Sequence, residues 1–187
     1  MEIVSKLPQE PRLLSIEVRN FKPPRPAERL PIEVHVAAEP VKGQKKHGTV
    51  RVQLPSWSPF EVYCDEGSMI KGEDTAPSPL CYFTLGVAFC FLSHIDMYLN
   101  NSGFRLQRVR IEINAKYSTD GAEKVFHGQV NGRCDGYDFF IHIDTDEKPD
   151  AVRKMVGLCT DACMALQTVL NATPVLQRII LNGEELS

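Results

Sequence analysis

Residues 78–103 read SPLCYFTLGVAFCFLSHIDMYLNNSG. Ser78 is a helix N-cap type, and Pro79 suits the first helical position, where a missing N–H removes no bond. Asn101-Ser102-Gly103 supplies the stop signal. The spacing predicts a helix from Pro79 to about Asn100. Its apolar run extends from Leu80 to Leu92, broken only by Thr84 and Gly86, and then meets Ser93, His94 and Asp96. A membrane span needs about 20 predominantly apolar residues, so the segment reads as a buried core helix. It is apolar nearly all round in its first three turns, as expected of a helix with protein on every side.

Strand patterns flank this helix. Ile32-Glu33-Val34-His35-Val36 and Val50-Arg51-Val52-Gln53-Leu54 alternate apolar and polar residues, with the polar stretch Lys42 to Gly48 between them. This predicts a β-hairpin with one buried face. A short strand from Phe60 to Tyr63 and an acidic loop from Asp65 to Pro77 follow. Beyond the helix, Val109, Ile111, Ile113, Ala115 and Tyr117 fall on one strand face, and Arg108, Arg110, Glu112, Asn114 and Lys116 on the other. Asp120-Gly121 and Asp135-Gly136 read as hairpin turns. They delimit a second strand, Lys124 to Cys134, and a third, Tyr137 to Asp144, on whose polar face His142 is expected.

Asp146, Pro149 and Asp150 open a second long helix. Its apolar stripe is Val152, Met155, Val156, Cys159, Cys163, Leu166 and Leu170, ending near Asn171. Pro174 and the run Val175 to Leu181 predict a last strand. The expected order is β-β-β-α-β-β-β-α-β. That is an α+β fold: antiparallel sheets with two long central helices. The first helix is too apolar for one chain's sheet to cover, which predicts a homodimer.

The 187 residues are 43% hydrophobic and 24% charged, with a net charge of −3. That is ordinary for a globular protein and argues against a nucleic-acid partner, which normally calls for a basic surface. Charge and proline are uneven. Residues 1–58 carry ten Lys or Arg against six Asp or Glu, and nine of the thirteen prolines lie in the first 59 residues. Residues 1–29 therefore read as an extended proline-rich arm and 30–187 as a single domain. Met1 to Pro11 holds no apolar leader and no lipidation motif is visible, so a cytoplasmic protein without a membrane partner is expected.

Six cysteines stand at 64, 81, 90, 134, 159 and 163, and five histidines at 35, 47, 94, 127 and 142. In a reducing compartment the cysteines are thiols. Cys159 and Cys163 share a helix face, but no Cys/His pair with zinc-like spacing accompanies them, so no metal is expected. No Cys-x-x-Cys motif, Ser/His/Asp set or glycine-rich phosphate loop appears, and no cofactor is expected. Cys81 lies on a different helical face from Cys90 and reads as core.

Two segments resemble the OsmC/Ohr family of osmotically inducible and organic-hydroperoxide-resistance proteins. One is the proline-led helix Pro79-Leu80-Cys81-Tyr82-Phe83-Thr84-Leu85-Gly86-Val87-Ala88-Phe89-Cys90, with Gly103-Phe104 after it. The other runs from Ala162 through Cys163 to Ala172. The resemblance covers roughly residues 30–185, and the element order agrees with it.

The resemblance implies an interlocked homodimer and a thiol-dependent peroxidase acting on organic hydroperoxides. It casts Cys90 as the peroxidatic thiol and Cys163 as the resolving one, with a dithiol reductant and, as candidate pocket walls, Phe83, Phe89 and Phe91. The chemistry suits those residue types: a thiolate is the nucleophile, and a second thiol captures the sulfenic acid it becomes. This chain departs from the family pattern in three places. Leu80 and Cys81 stand where acidic residues are usual, Met164 replaces the proline after the second cysteine, and residues 59–78 hold no arginine, only Lys71. The alternative is a non-catalytic family member that binds a small apolar ligand or a partner at the dimer interface.

Overall fold

Val34–Lys42 (β2) and Lys45–Val52 (β3) form the expected hairpin, but its turn is far tighter than the polar stretch suggested. Only Gly43 and Gln44 lie between the strands, and Lys45 to Gly48 are ladder residues. Phe60–Cys64 (β4) pairs antiparallel with β3, and Val4–Lys6 (β1) pairs with β4. The sheet order is β1-β4-β3-β2. Pro40 sits on edge strand β2, the place where a residue lacking an N–H is tolerated, and the register shifts between it and Lys42. The computed structural model describes residues 2–7, 29–55, 57–120 and 131–186. Most of the predicted arm, residues 8–28, lies outside them, as does the stretch 121–130.

The chain divides into two compact units, Met1–Tyr82 and Phe83–Ser187. In the first, the loop after β4 is built around one carboxylate. Asp65 is buried, and its Oδ1 accepts the Glu66 N–H at 2.8 Å. Its Oδ2 accepts the Glu73 N–H at 3.2 Å, the Thr75 N–H at 3.1 Å and the Thr75 hydroxyl at 2.8 Å. Burial by itself raises an acid's pKa, but these donors outweigh it and hold the Asp65 carboxyl at about 2. A folded value below the ordinary 3.8 means that the ion's contribution is complete above that value and is lost as pH falls through about 2. Asp65→Asn should therefore lower the melting temperature at neutral pH. The gap to the wild type should close as thermal melts are taken from pH 5 to pH 2; a gap independent of pH would contradict this role.

Pro79–Ser102 (α1) begins and ends within two residues of the expected bounds, and Gly103 follows it with φ +70°. The Tyr82 hydroxyl ties the first turn to β4, donating to the Tyr63 carbonyl at 2.6 Å. Expected burial on all sides is not what one chain provides. Val87, Phe91 and Ile95 are buried, at helical spacing i, i+4, i+8, while Leu80, Phe83, Leu85, Phe89 and Met97 are exposed. Cys81, expected in the core, is exposed, and the Ser78 hydroxyl lies 3.3 Å from its sulfur. Among the described residues, α1 is the helix long and apolar enough to cross a membrane by length and composition.

Arg108–Thr119 (β5) alternates as predicted and pairs antiparallel with Gly132–Asp144 (β6) along its whole length. Asp135-Gly136 is not a turn. Lys116 faces Gly136 and Tyr117 faces Cys134, so Asp135 is an extra residue bulged out of one continuous strand. Gly136 takes φ +152°, which a side chain disfavours. Of the strand predicted over Lys124 to Cys134, residues 124–130 lie outside the described residues, and Gly132 to Cys134 belong to β6. His142 lies on the polar face as expected, its Nε2 3.6 Å from Glu112.

The second long helix is two helices, Pro149–Ala162 (α2) and Met164–Leu170 (α3), interrupted at Cys163. Of the predicted last strand only Ile179–Leu181 (β7) forms, with Val175 to Arg178 outside it, and beyond the predicted run Glu184–Leu186 (β8) pairs with β7 in a hairpin. Its two-residue turn is Asn182-Gly183, both at positive φ (54° and 93°), as this hairpin type requires. The whole is α+β with antiparallel sheets. The core of the second unit joins Val87, Phe91 and Ile95 of α1 to Met155 and Cys159 of α2, Cys163, and Leu166 of α3. The inward residues of β5 and β6, among them Val109, Ile111, Ile113, Phe139 and Ile141, cover it.

Candidate functional site

A helix repeats every 3.6 residues, so Cys90 and His94, four apart on α1, share a face. That face borders the buried stripe Val87, Phe91, Ile95. Cys90 is half-buried and packs against this core.

Cys163 arrives from the other side of the same core. Its backbone leaves the helical region (φ −73°, ψ 100°), which makes it the last cap of α2 and the first of α3. The chain stays tied through the break. The Cys163 N–H donates to the Cys159 carbonyl at 3.0 Å, and the Cys163 carbonyl accepts the Gln167 N–H at 2.8 Å. The Gln167 side chain bridges back to the Thr160 carbonyl at 2.9 Å. The sulfur is fully buried beside the opening turn of α3. Burial pushes the Cys163 thiol up to about 11, with N–H groups of Leu166 and Ala165 pulling the other way and the Cys90 thiol adding to the rise.

The outcome is a cluster of three. The Cys90 sulfur, a ring nitrogen of His94 and the Cys163 sulfur all lie within 4.8 Å of one another. The two cysteines singled out in the sequence are brought together, and the other four thiols stand outside the cluster. Cys159 is buried one turn before Cys163, and burial raises its thiol. Cys64 lies in the first unit, with its thiol raised by burial, and Cys81 and Cys134 are exposed. A disulfide needs sulfurs about 2.05 Å apart, a closure of less than 3 Å from this starting point.

His94 is the member that the sequence reading passed over. Its signal was available, since Cys90 and His94 stand at one-turn spacing on a helix bounded by Ser78-Pro79 and Gly103. The candidate pocket walls divide. Phe91 is fully buried, its ring 5.2 Å from that of Phe139, and so belongs to the core; Phe83 and Phe89 are exposed.

The family model described as OsmC-like protein matches residues 72–177, more than half of the chain and including Cys90, His94 and Cys163. No curated protein matches the chain. Several solved structures share its fold, three of them as follows. An OsmC-like hydroperoxide resistance protein from Jannaschia sp. CCS1 is 17% identical, with a TM-score of 0.53, covering 82% of this chain and 97% of its own. An OsmC-like protein from Mycoplasma pneumoniae is 12% identical, with a TM-score of 0.54, covering 74% and 87%. A protein from Psychrobacter arcticus 273-4, named for osmotic stress induction and a detoxification response, is 13% identical, with a TM-score of 0.53, covering 71% and 85%. At these identities the likeness speaks for the fold, and the family match speaks for descent. This chain belongs to the OsmC-like protein family.

Proposed function

We propose that the protein is a thiol-dependent peroxidase that reduces organic hydroperoxides through Cys90 and Cys163. The observation that carries this reading is the convergence of these two sulfurs and His94 within 4.8 Å, from two helical segments far apart in the chain. Cys90, the more exposed of the pair, is the one an oxidant can reach. Its sulfur attacks the outer oxygen of the O–O bond, the bond breaks, and the substrate leaves as an alcohol while Cys90 becomes a sulfenic acid. In this reading the neighbouring His94 ring takes the thiol proton and hands a proton to the leaving alkoxide. Cys163 then displaces water from the sulfenic acid and forms the disulfide. A dithiol reductant restores both thiols.

Burial of Cys163 keeps it from competing for the oxidant and reserves it for the resolving step. The exposed apolar face of α1, Leu80, Phe83, Leu85, Phe89 and Met97, supports a homodimer in which a second copy covers it and helps enclose an apolar substrate. Six free thiols suit the reducing cytoplasm as the place of action.

One equivalent of cumene hydroperoxide should consume two of the six thiols of the reduced protein. Cys163→Ser should instead leave a sulfenic acid that dimedone traps and excess oxidant drives onward to sulfinic acid. Light scattering should give twice the mass of one 21.0 kDa chain. Six thiols surviving prolonged exposure would overturn the peroxidase reading, and a monomer would overturn the dimer.

A further inference from the structure

The peroxidase reading uses His94 only as a proton carrier, yet the ring completes a donor set with other chemistry. Two thiols and an imidazole, all within 4.8 Å, are the ligand types that borderline-soft divalent cations take. No carboxylate belongs to the group, which disfavours calcium and magnesium, the oxygen-seeking cations. We propose that in the reduced protein Cys90, His94 and Cys163 form a three-ligand site for one zinc ion, with a fourth position left to water or an incoming ligand.

The geometry needs little change. Zinc–sulfur bonds of about 2.3 Å and zinc–nitrogen bonds of about 2.0–2.1 Å in a tetrahedron set ligand atoms roughly 3.5–3.8 Å apart. The three donors thus have to draw together by at most about 1.3 Å. Cys90 and His94 are held one turn apart on α1, whose stripe Val87, Phe91 and Ile95 is buried in the core. Cys163 lies at the break between α2 and α3, where the backbone is free of a regular helical path. Sequence spacing hid the site because its third ligand comes from a different helix.

Loading replaces two S–H protons by the metal: two thiols and Zn²⁺ give the bis-thiolate complex and two protons. The site uses the thiols of the proposed redox pair, and its emptying rests on that reading. An organic hydroperoxide would oxidise the two zinc-bound thiolates by two electrons. With two protons taken up, the products are the Cys90–Cys163 disulfide, one alcohol, one water and free Zn²⁺. Metal occupancy and thiol oxidation are therefore mutually exclusive states of one cluster.

The test uses the full-length, fully reduced, metal-free protein and cobalt(II) as a spectroscopic probe. Anaerobic titration should saturate at one equivalent per chain, with thiolate-to-cobalt charge-transfer bands in the near ultraviolet and the intense visible bands of a tetrahedral ion. One equivalent of zinc should bleach them. Cys163→Ser should cut the charge-transfer intensity by about half per bound ion, because one of two thiolates is gone. Losing an outer-shell partner alone costs roughly 10–100-fold in metal affinity, so His94→Ala, a ligand loss, should weaken zinc binding at least that much; His94→Gln serves if circular dichroism shows that the alanine variant does not fold. Cys81→Ser and Cys134→Ser should leave the titration unchanged. No cobalt bands, or binding indifferent to His94, would overturn the site. Failure of the redox reading has a different signature: cobalt binds as described, but hydroperoxide neither consumes thiols nor releases metal.

Discussion

Cys90→Ser should reduce hydroperoxide consumption to the rate of buffer alone. The substitution is close to isosteric on a half-buried helix face, so folding is expected to persist. A neutral hydroxyl does not open an O–O bond as a thiolate does. The neighbouring thiols offer no replacement. Cys163 is fully sequestered, with its thiol held near 11, and Cys159 is buried a turn further on. Exposed Cys81 and Cys134 are accessible, but the structure places neither beside a resolving thiol in the cluster. The expected result is a variant with the wild-type circular dichroism spectrum, five thiols and no turnover. A variant that still consumes hydroperoxide at a tenth of the wild-type rate or more would move the reaction elsewhere in the chain.

The largest effect on stability is expected at the residue following that thiol. Phe91 has no exposed surface and stands in the middle of the α1 stripe, against Phe139 of β6 and the Met155–Cys159–Leu166 side of the core. Phe91→Ala removes a buried ring and leaves a cavity that two helical segments and a strand pair must fill, at a cost of about 3–5 kcal/mol. Domains of this kind are stable by roughly 5–15 kcal/mol, so the variant should unfold at a much lower urea concentration. Met69→Ala is the matched control: Met69 is 96% exposed, and its loss should stay within about 0.5 kcal/mol. Equal midpoints for the two variants would contradict the placement of the core.

The elements that could be read from sequence were those whose signals are local and agree with their packing. The Ser78-Pro79 start and Gly103 stop bound α1 because capping chemistry is settled within a turn. The alternation from Arg108 to Tyr117 gave β5 its inward face because one side of that strand packs on the helices. The Asp135-Gly136 signal misled for a physical reason. A turn dipeptide makes a hairpin only if its flanks go on to pair with each other, and here both flanks pair with β5, so the same residues bulge. Asn182-Gly183 is the reverse case, a genuine hairpin signal that lies just past the end of the predicted last strand at Leu181.

The site divides in the same way. Cys90 and Cys163 came from resemblance to a family pattern. The break that orients Cys163 left no mark, since Ala162-Cys163-Met164 contains neither proline nor glycine and the apolar stripe runs through it at helical spacing. His94 could have been found by asking which polar residue shares a turn with Cys90. The exposed side of α1 was foreseen as more apolar surface than one chain would cover, and the lone chain leaves it bare.

Peptide mapping of the oxidised protein under non-reducing conditions tests the central claim most directly. After one equivalent of hydroperoxide and alkylation of the remaining thiols, mass spectrometry should find a single intrachain disulfide joining the Cys90 and Cys163 peptides, with Cys64, Cys81, Cys134 and Cys159 alkylated. A disulfide joining any other two cysteines, or six alkylated thiols, would contradict the account.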